Sequence, residues 1–188
     1  MNKRFLFFCV IFFFTILLVG CTTNKIIMVN PICKPAHFFS HTNATLPVFV
    51  DVWRNITFDQ DPTELIVGAS HDPVGSLNHT FNITEAGIYK FQYFASFTDS
   101  SPAPIANIAM RIIKNGIEIN GSTIETDATK QNLELELSNT VHVKIDAGDT
   151  IAFQFISGDA DVSLLTHSTF GVHPDSATVT MARIDCRT

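Results

Sequence analysis

Few residues in this chain of 188 have the types and spacing that chemistry requires. Thr166-His167-Ser168 sets a histidine beside a serine, which are the base and the nucleophile of many hydrolases. Catalysis also needs an orienting acid and an oxyanion site, and adjacent residues of a strand point to opposite faces. The sequence contains no nucleophile elbow, no glycine-rich phosphate loop and neither paired-Cys nor His-Glu-x-x-His zinc spacing. We therefore predict no catalytic residues and no enzyme.

Short acidic stretches are the second set of candidates. Asp59, Asp61 and Glu64 lie in one stretch, and Asp159 and Asp161 lie in another. Carboxylate oxygens are the ligands that calcium prefers, but acidic loops between strands are more often solvated turns. We predict no metal ion or other cofactor, with calcium at Asp159 and Asp161 as the alternative.

The first twenty residues have the pattern of an export signal. Met1–Arg4 is basic, and Phe5–Val19 is almost uninterruptedly apolar. At ~1.5 Å per residue this run is short for a ~30 Å hydrocarbon core, which favours a cleaved signal peptide over a spanning helix. Leu18-Val19-Gly20-Cys21 resembles a bacterial lipobox, in which cleavage leaves Cys21 as an acylated first residue. We expect a helical signal peptide over residues 1–20 and lipid attachment at Cys21; an ordinary signal peptide or an uncleaved anchor is the alternative.

Two cysteines lie near the ends of the remaining chain, Cys33 and Cys186. In an exported protein such a pair can form a disulfide. A bridge that closes so long a loop would stabilise the fold by ~5 kcal/mol in the chain-entropy treatment. Two free thiols, or bridges between chains, are the alternative.

The net charge limits the classes of partner, and the glycosylation motifs bear on the host organism. The formal net charge is −6, the pI is about 5.5, and no cluster of Lys and Arg follows the leader. Nucleic acid is therefore excluded as a partner, because binding phosphates needs a basic face. Asn-x-Ser/Thr sequons would matter in a eukaryotic or viral host, whereas the lipobox indicates a bacterial one. The sequons are at Asn43, Asn55, Asn78, Asn82 and Asn120. We follow the lipobox because its position is constrained, with a secreted or viral glycoprotein as the alternative.

From residue 45 onward, apolar and polar residues alternate in short runs that are separated by turn signals. Alternation with a period of two, rich in aromatic and β-branched residues, predicts half-buried antiparallel strands. Two runs carry large aromatic residues at every second position: Tyr89, Phe91 and Tyr93, then Phe153 and Phe155. We expect these five in the core or between chains. Asn115-Gly116 between apolar runs predicts a hairpin. The chain thus predicts an all-β, antiparallel, two-sheet jelly-roll sandwich of about ten strands over residues 45–188, with residues 21–44 as a tether.

Several short motifs follow one another through this region in a fixed order. They are Phe81-Asn82-Ile83, Gly87-Ile88-Tyr89-Lys90-Phe91, Asn115-Gly116, the alternating run from Val141 to Ile151, and Ser168-Thr169-Phe170. Together they resemble the globular head of complement component 1q and its relatives in the tumour-necrosis-factor jelly-roll superfamily. The bacterial and viral branch is the most similar, with heads like those of collagen-like spore-surface proteins. The chain departs from that pattern in having no Gly-X-Y stalk and in Gly171–Ser176, which looks like an insertion.

The resemblance implies a compact homotrimer, and the residues supply a physical reason for one. The chain has 17 Phe, and two of them, Phe39 and Phe94, fall where a monomeric sandwich would expose them. Exposed apolar surface of this kind usually marks an interface. The alternative is that these side chains fill the core or lie singly on the surface.

We therefore predict an exported, membrane-anchored surface lipoprotein. Its trimeric jelly roll would act as a non-catalytic recognition or adhesion module for a protein or a glycan that the sequence does not identify. The alternative is a structural assembly or envelope component without a dedicated ligand, or a secreted or viral glycoprotein with the same fold.

Overall fold

The structure is a computed structural model that describes residues 37–42, 46–47, 49–59, 68–104, 106–165 and 175–185. These ranges contain thirteen strand segments. The strands are β1 (His37–Thr42), β2 (Leu46–Pro47), β3 (Arg54–Asn55), β4 (Ala69–His71), β5 (Phe81–Ile83), β6 (Gly87–Asp99), β7 (Asn107–Lys114), β8 (Ile117–Glu118), β9 (Ile124–Asp127), β10 (Glu134–Ile145), β11 (Thr150–Ser157), β12 (Val162–Leu164) and β13 (Ala177–Arg183).

The strands form two sheets that pack face to face. The first sheet has the order β1-β13-β6-β12-β2, with β10 on the other side of β6. The second sheet has the order β4-β5-β11-β7-β8, with β3 also on β11 and β9 also on β7. All ladders between these strands are antiparallel. The predicted two-sheet antiparallel sandwich is confirmed.

Strand β6 is the centre of the first sheet. All of it except Asp99 pairs with β10, from Gly87 opposite Ile145 to Thr98 opposite Glu134. On its other side it pairs first with β13 and then, from Phe97 onward, with β12. Side chains at alternate positions point between the sheets, because successive residues of a strand face opposite ways. The inward set is Tyr89, Phe91, Tyr93, Ala95 and Phe97, all at most 3% exposed.

The change of neighbour along β6 occurs at one residue, Ser96. Its carbonyl accepts the N–H of Leu165, just after β12, at 2.9 Å. Its own N–H donates to the carbonyl of Ser176, just before β13, also at 2.9 Å. The chain therefore leaves the first sheet and returns to it at the same point of the central strand.

The core is built around Phe153 of the second sheet. Its ring centroid lies 5.6 Å from that of Tyr93 and 6.3 Å from that of Phe91, both in the first sheet. Phe58 and Phe81 approach it at 5.8 and 5.9 Å, close to edge-on. Aromatic pairs at 4.5–7 Å in such tilted arrangements contribute about 0.5–1.5 kcal/mol each beyond the area they bury. The contacts of Phe153 therefore join the two sheets.

The predicted hairpin at Asn115-Gly116 is present between β7 and β8. Lys114 pairs with Ile117 across the turn, and the φ angles are 52° at Asn115 and 81° at Gly116. A two-residue turn of this hand needs positive φ at both positions, which Asn and Gly adopt most readily. The pair of residues thus fixes the register of this hairpin.

The boundary of the sandwich differs from the expected one. Strand β1 lies inside residues 21–44, the expected tether, and pairs with β13 from His37–Ala182 to Thr42–Ala177. The run from His37 to Thr42 contains adjacent aromatic residues and no period of two, so the sequence pattern does not mark it as a strand. Its pairing with β13 is a tertiary effect. Residues 1–36, with Cys21 and Cys33, and residues 186–188, with Cys186, lie outside the described part of the chain.

Candidate interaction surface

The outer surface of the first sheet carries a patch that we call the Phe94 face. It consists of two rows of side chains that strand pairing brings side by side. Ser138, Phe94 and Thr178 form one row, and Thr140, Gln92 and Thr180 form the next. Each row takes one residue from β10, one from β6 and one from β13. The face therefore depends on the order of the three strands and not on any single stretch of sequence.

The Phe94 face is concave, and its six defining side chains are all uncharged. They line a shallow cavity of about 540 Å³, to which Tyr93 and Asn139 also contribute. Phe94 is half-buried at its centre, whereas Gln92, Ser138 and Thr140 are exposed. Hydroxyl and amide groups around one aromatic ring can donate and accept hydrogen bonds and offer an apolar contact. None of the six defining side chains is an acid or a base.

A buried polar bridge lies beneath this face and joins it to the second sheet. The hydroxyl of Tyr93 donates to the carbonyl of Ser122, and Asn139 Nδ2 donates to the carbonyl of Gly121 at 3.2 Å. Ser122 is fully buried, and its Oγ accepts the N–H of Ile112 at 3.0 Å. Burial raises the pKa of Tyr93, which the hydrogen bond from Asn139 partly opposes. Tyr93 therefore stays protonated and holds the underside of β6 and β10 in place.

The outer surface of the second sheet has a different, charged network around Arg111. The Arg111 guanidinium carbon lies 3.9 Å from the centroid of the Trp53 ring. Its Nε and Nη2 donate to Gln154 Oε1 at 3.0 and 2.9 Å, and Nη1 donates to Glu118 Oε2 at 3.1 Å. A hydrogen bond from Thr123 Oγ1 at 2.7 Å lowers the pKa of Glu118, and Arg111 lowers it further. These contacts already use the guanidinium, so the network stabilises the sheet surface.

The five aromatic residues predicted for the core or an interface lie between the sheets. Tyr89, Phe91, Tyr93, Phe153 and Phe155 are each at most 3% exposed. Their side chains fill the sandwich of one chain and present no surface to another. Phe94 lies instead on the outer surface of the first sheet, where it is half-buried. The side chain of Phe39, the other aromatic residue expected at an interface, lies outside the described part of the structure.

The calcium candidates Asp159 and Asp161 form a turn between β11 and β12. Asp159 Oδ1 accepts the N–H of Asp161 at 2.9 Å, and Ser157 Oγ accepts the N–H of Asp159 at 3.1 Å. The Asp159 carboxylate therefore acts on its own backbone, as turn-forming Asp residues do. Across the residues that the structure describes, no three His, Cys, Asp or Glu side chains gather as a metal site. Asp59 is exposed, while Asp61, Glu64 and Thr166-His167-Ser168 lie outside those residues.

The Phe94 face was not identified from the sequence, apart from Phe94 itself. The outward positions of β6 and β10 follow from alternation, and Phe94 breaks that alternation. Thr178 and Thr180 lie about eighty residues farther along the chain, and only the pairing of β13 with β6 brings them beside Phe94. A single sequence carries no signal for that register.

No helix within the described ranges is both long enough and apolar enough to cross a bilayer.

Comparison with known proteins identifies the fold through structure and not through sequence. No protein-family model and no curated protein matches the sequence. Murine APRIL is similar with a TM-score of 0.54 at 10% identity, over 80% of this chain and 100% of that chain. Eiger TNF from S. frugiperda is similar with a TM-score of 0.51 at 15% identity, over 82% of this chain and 94% of that chain. The globular domain of zebrafish complement 1qA protein gives 0.48 at 13% identity, over 78% and 94%.

At such low identity these matches show the fold alone. The chain has the jelly-roll fold of the two tumour-necrosis-factor-like structures that it matches above a TM-score of 0.5, as the resemblance implied. Membership of the superfamily and the branch within it stay predictions.

Proposed function

We propose that this protein is a non-catalytic recognition module that works as a homotrimer on a membrane surface. The observation that carries the proposal is the Phe94 face. Its six side chains are uncharged although the chain has a net charge of −6, and an aromatic ring lies half-buried at its centre. Depletion of charge around an aromatic residue is the composition of the centre of a protein–protein interface.

A trimer explains why such a face is retained on the outside of a stable sandwich. The core is already filled by the inward aromatic residues, so Phe94 adds nothing to the packing between the sheets. Covering the face with a second chain would remove the ring from water. The hydroxyl groups of Ser138, Thr140, Thr178 and Thr180 can donate hydrogen bonds to that chain and accept them from it. The resemblance to the tumour-necrosis-factor superfamily implies three copies. The trimer would then present its loops outward to a protein or a glycan.

The trimer is tested with the full chain in a mild non-ionic detergent, which keeps the apolar segment Phe5–Val19 soluble. Sedimentation equilibrium should report three chains, or a multiple of three. Phe94→Glu should reduce this to single chains, because it places a charge at the centre of the covered face. Val74→Glu is the matched control, since Val74 is 93% exposed on a loop and its substitution should leave the number of chains unchanged. Single chains of the unmodified protein at micromolar concentration would refute the trimer.

The anchor is proposed at Cys21. Acyl chains on this residue would hold the protein on a membrane of the cell envelope, since each buried CH₂ contributes ~0.8 kcal/mol. Cys21→Ser should abolish labelling by a radioactive fatty acid and release the protein from the membrane fraction. Cys33→Ser is the control and should keep both. Membrane retention and normal processing of Cys21→Ser would refute the lipobox. Retention with the leader still attached would favour an uncleaved anchor, and release of both forms without labelling would favour a secreted protein.

A disulfide between Cys33 and Cys186 is also proposed, and the pairing of β1 with β13 supports it. His37 pairs with Ala182, and the register is constant to Thr42 opposite Ala177. Four further residues in the same register would put Cys33 opposite Cys186.

The hydrogen-bond pattern supports the same bridge. The N–H of Ile184 donates to the carbonyl of Ile88 in β6 at 2.8 Å. The even-numbered residues of β13 and of the segment that follows it therefore turn their N–H toward β6 and away from β1. Cys186 is also even-numbered, so in the same register its N–H would point away from β1 and Cys33–Cys186 would be a non-hydrogen-bonded pair. Such pairs have a Cα separation of about 4.5 Å, within the range of about 4.4–6.8 Å that disulfides require.

The second candidate function is a structural component whose role is its own assembly. The same Phe94 face favours it, because a covered face needs no further ligand. Binding of the trimer to host cells or to a glycan array separates the two roles: specific binding supports recognition, and uniform absence of binding supports assembly.

A further inference from the structure

Strand β10 forms a long, regular edge of the first sheet. Within the described residues it pairs with β6 alone. The ladder runs over twelve residues in one constant register from Glu134 to Ile145, and the strand contains neither Pro nor Gly. Edge strands are usually blocked by proline, by bulges or by being short, because an open edge pairs with other strands. Among the described residues, the β10 edge has none of these three protections. Its exposed charges, such as Glu136 and Lys144, would keep it from pairing with an edge of unmatched charge.

The groups at this edge belong to alternate residues of β10. In β6, the N–H of Ser96 and the carbonyl of Ile88 bond on the side of β13. A strand residue turns its N–H and C=O to the same side, so the even-numbered residues of β6 bond to β13 and the odd-numbered ones bond to β10. Even residues of β10 lie opposite even residues of β6. The N–H and C=O groups of the even residues of β10 therefore face the open edge.

The side chains of these even residues are complementary about Asn139: acidic residues precede it, and basic residues follow it at matching distances. On the N-terminal side are Glu134, Glu136 and Ser138; on the C-terminal side are Thr140, His142 and Lys144. When two copies of β10 pair antiparallel about a two-fold axis at Asn139, each residue meets the one equally far on the other side. Glu134 then lies opposite Lys144, Glu136 opposite His142, and Ser138 opposite Thr140.

The same symmetry extends to the inward residues and to the hydrogen bonds. Leu137 meets Val141, and Leu135 meets Val143, so the apolar side remains apolar. The pairs formed by even residues are those whose N–H and C=O groups face the edge, so this register also satisfies the backbone. In the single chain the N–H of Thr140 donates to Asn139 Oδ1 at 2.7 Å, and pairing would exchange that acceptor for the carbonyl of Ser138 in the other copy.

We propose that the β10 edge binds the β10 edge of a second copy of this chain, antiparallel and centred on Asn139. The pairing joins two first sheets into one continuous sheet. Strand β1, which ends the same sheet on the other side, contains two His and no acidic residue, so it offers no such charge match with itself. The contact uses the backbone of β10, whereas the proposed trimer uses side chains on the outer surface of three strands. Ser138 and Thr140 of β10 belong to both contacts, so the two proposals are separated by Phe94→Glu, which should abolish the trimer and keep the Glu134–Lys144 cross-link described below.

A zero-length cross-link gives the first test. Carbodiimide joins a carboxylate to an amine only when the two are in contact. Glu134 and Lys144 of one chain are ten residues apart on one strand, or about 34 Å, so a link between them must join two chains. Cross-linking a mixture of ¹⁴N- and ¹⁵N-labelled full chains in non-ionic detergent should give mixed-isotope Glu134–Lys144 peptides. Absence of this peptide would overturn the proposal, whatever the number of chains found.

A charge exchange gives the second test. Lys144→Glu sets a carboxylate opposite Glu134 at both ends of the pairing and should raise the dissociation constant of the edge contact about tenfold or more. Adding Glu134→Lys should restore it to within about threefold of the original value. Lys130→Glu is the control of equal charge outside β10 and should change nothing. Equal weakening by the control, or failure of the exchange to restore binding, would overturn the register.

A second charge exchange, at Glu136 and His142, avoids a side effect of replacing Glu134. Glu134 Oε1 accepts Ser96 Oγ at 2.8 Å, so its replacement also removes a bond within the chain. His142→Glu followed by Glu136→Lys leaves that bond intact, and both side chains are exposed. This pair should show the same loss and the same recovery. If His142→Glu weakens the contact and Glu136→Lys does not restore it, the axis is not at Asn139.

Discussion

Removal of the proposed Cys33–Cys186 bridge should destabilise the protein without changing its fold. The bridge would close a loop of about 150 residues, for which the chain-entropy treatment gives ~5 kcal/mol. In a domain of this size each kcal/mol corresponds to about 2–4 °C in Tm, so the expected loss is about 10–20 °C. The strands themselves should remain, because β1 and β13 are held by their own ladder from His37 to Thr42.

The assay compares thermal unfolding of the full chain with that of Cys33→Ser, of Cys186→Ser and of the double variant. All three variants should lose the same amount, since each breaks the same bond, and a reductant should lower the Tm of the unmodified protein to theirs. Non-reducing peptide mapping should recover one peptide that contains both cysteines. The reasoning fails if the mapping finds both cysteines as thiols or linked to other chains. It also fails if the single variants differ from one another by as much as they differ from the unmodified protein.

Three further changes test the core, the polar bridge and a turn. Phe153→Ala should cost about 3–5 kcal/mol of unfolding free energy in urea, because its ring contacts both sheets and leaves a cavity; a loss below 1 kcal/mol would contradict its central place. Tyr93→Phe should cost about 1–3 kcal/mol, because the buried carbonyl of Ser122 loses a donor, and Tyr89→Phe provides a comparison at a hydroxyl that donates to Glu85 O at 2.6 Å instead. Hydrogen bonds to Asp149, first from the N–H of Asp146 and then from Asn115, lower the pKa of its carboxyl group from 3.8. Since the folded pKa lies below the unfolded one, this stabilisation is complete above pH 3.8 and is lost as the pH falls through the folded value. Asp149→Asn should therefore lose less stability than the unmodified protein between pH 5 and pH 2 in urea unfolding, and equal losses would show that another group causes the acid sensitivity.

The strands that the sequence predicts best are those with one solvent-exposed face and one buried face. In β6 every second residue from Tyr89 to Phe97 is aromatic or apolar, and the structure buries all of them. In β10 the runs around Leu135 and Val143 have the same phase, and they join into one strand because Asn139, between them, also points inward and bonds to Tyr93. The period-two pattern was sufficient to predict both strands, because each residue's own type determines whether it favours the buried or the exposed face.

Pairing between distant strands could not be predicted in this way. Strand β1 has no alternating pattern, and its position depends on the open side of β13. The Phe94 face likewise requires β13 to lie beside β6, which is a property of the register and not of either strand alone. Hydroxyl side chains such as Thr178 suit many sheet surfaces, so their types gave no indication of a shared site.

The two backbone hydrogen bonds of Ser96, with Leu165 and with Ser176, have a consequence for how this fold can vary. Residues 166–174 lie between two points that are fixed to the same backbone unit, so the distance across this connection does not depend on its length. Closing a longer flexible loop over such a gap costs only about 0.6 kcal/mol per doubling. The insertion noted at Gly171–Ser176 falls at this connection. We therefore expect this connection to accept segments of other lengths while β12 and β13 keep their places.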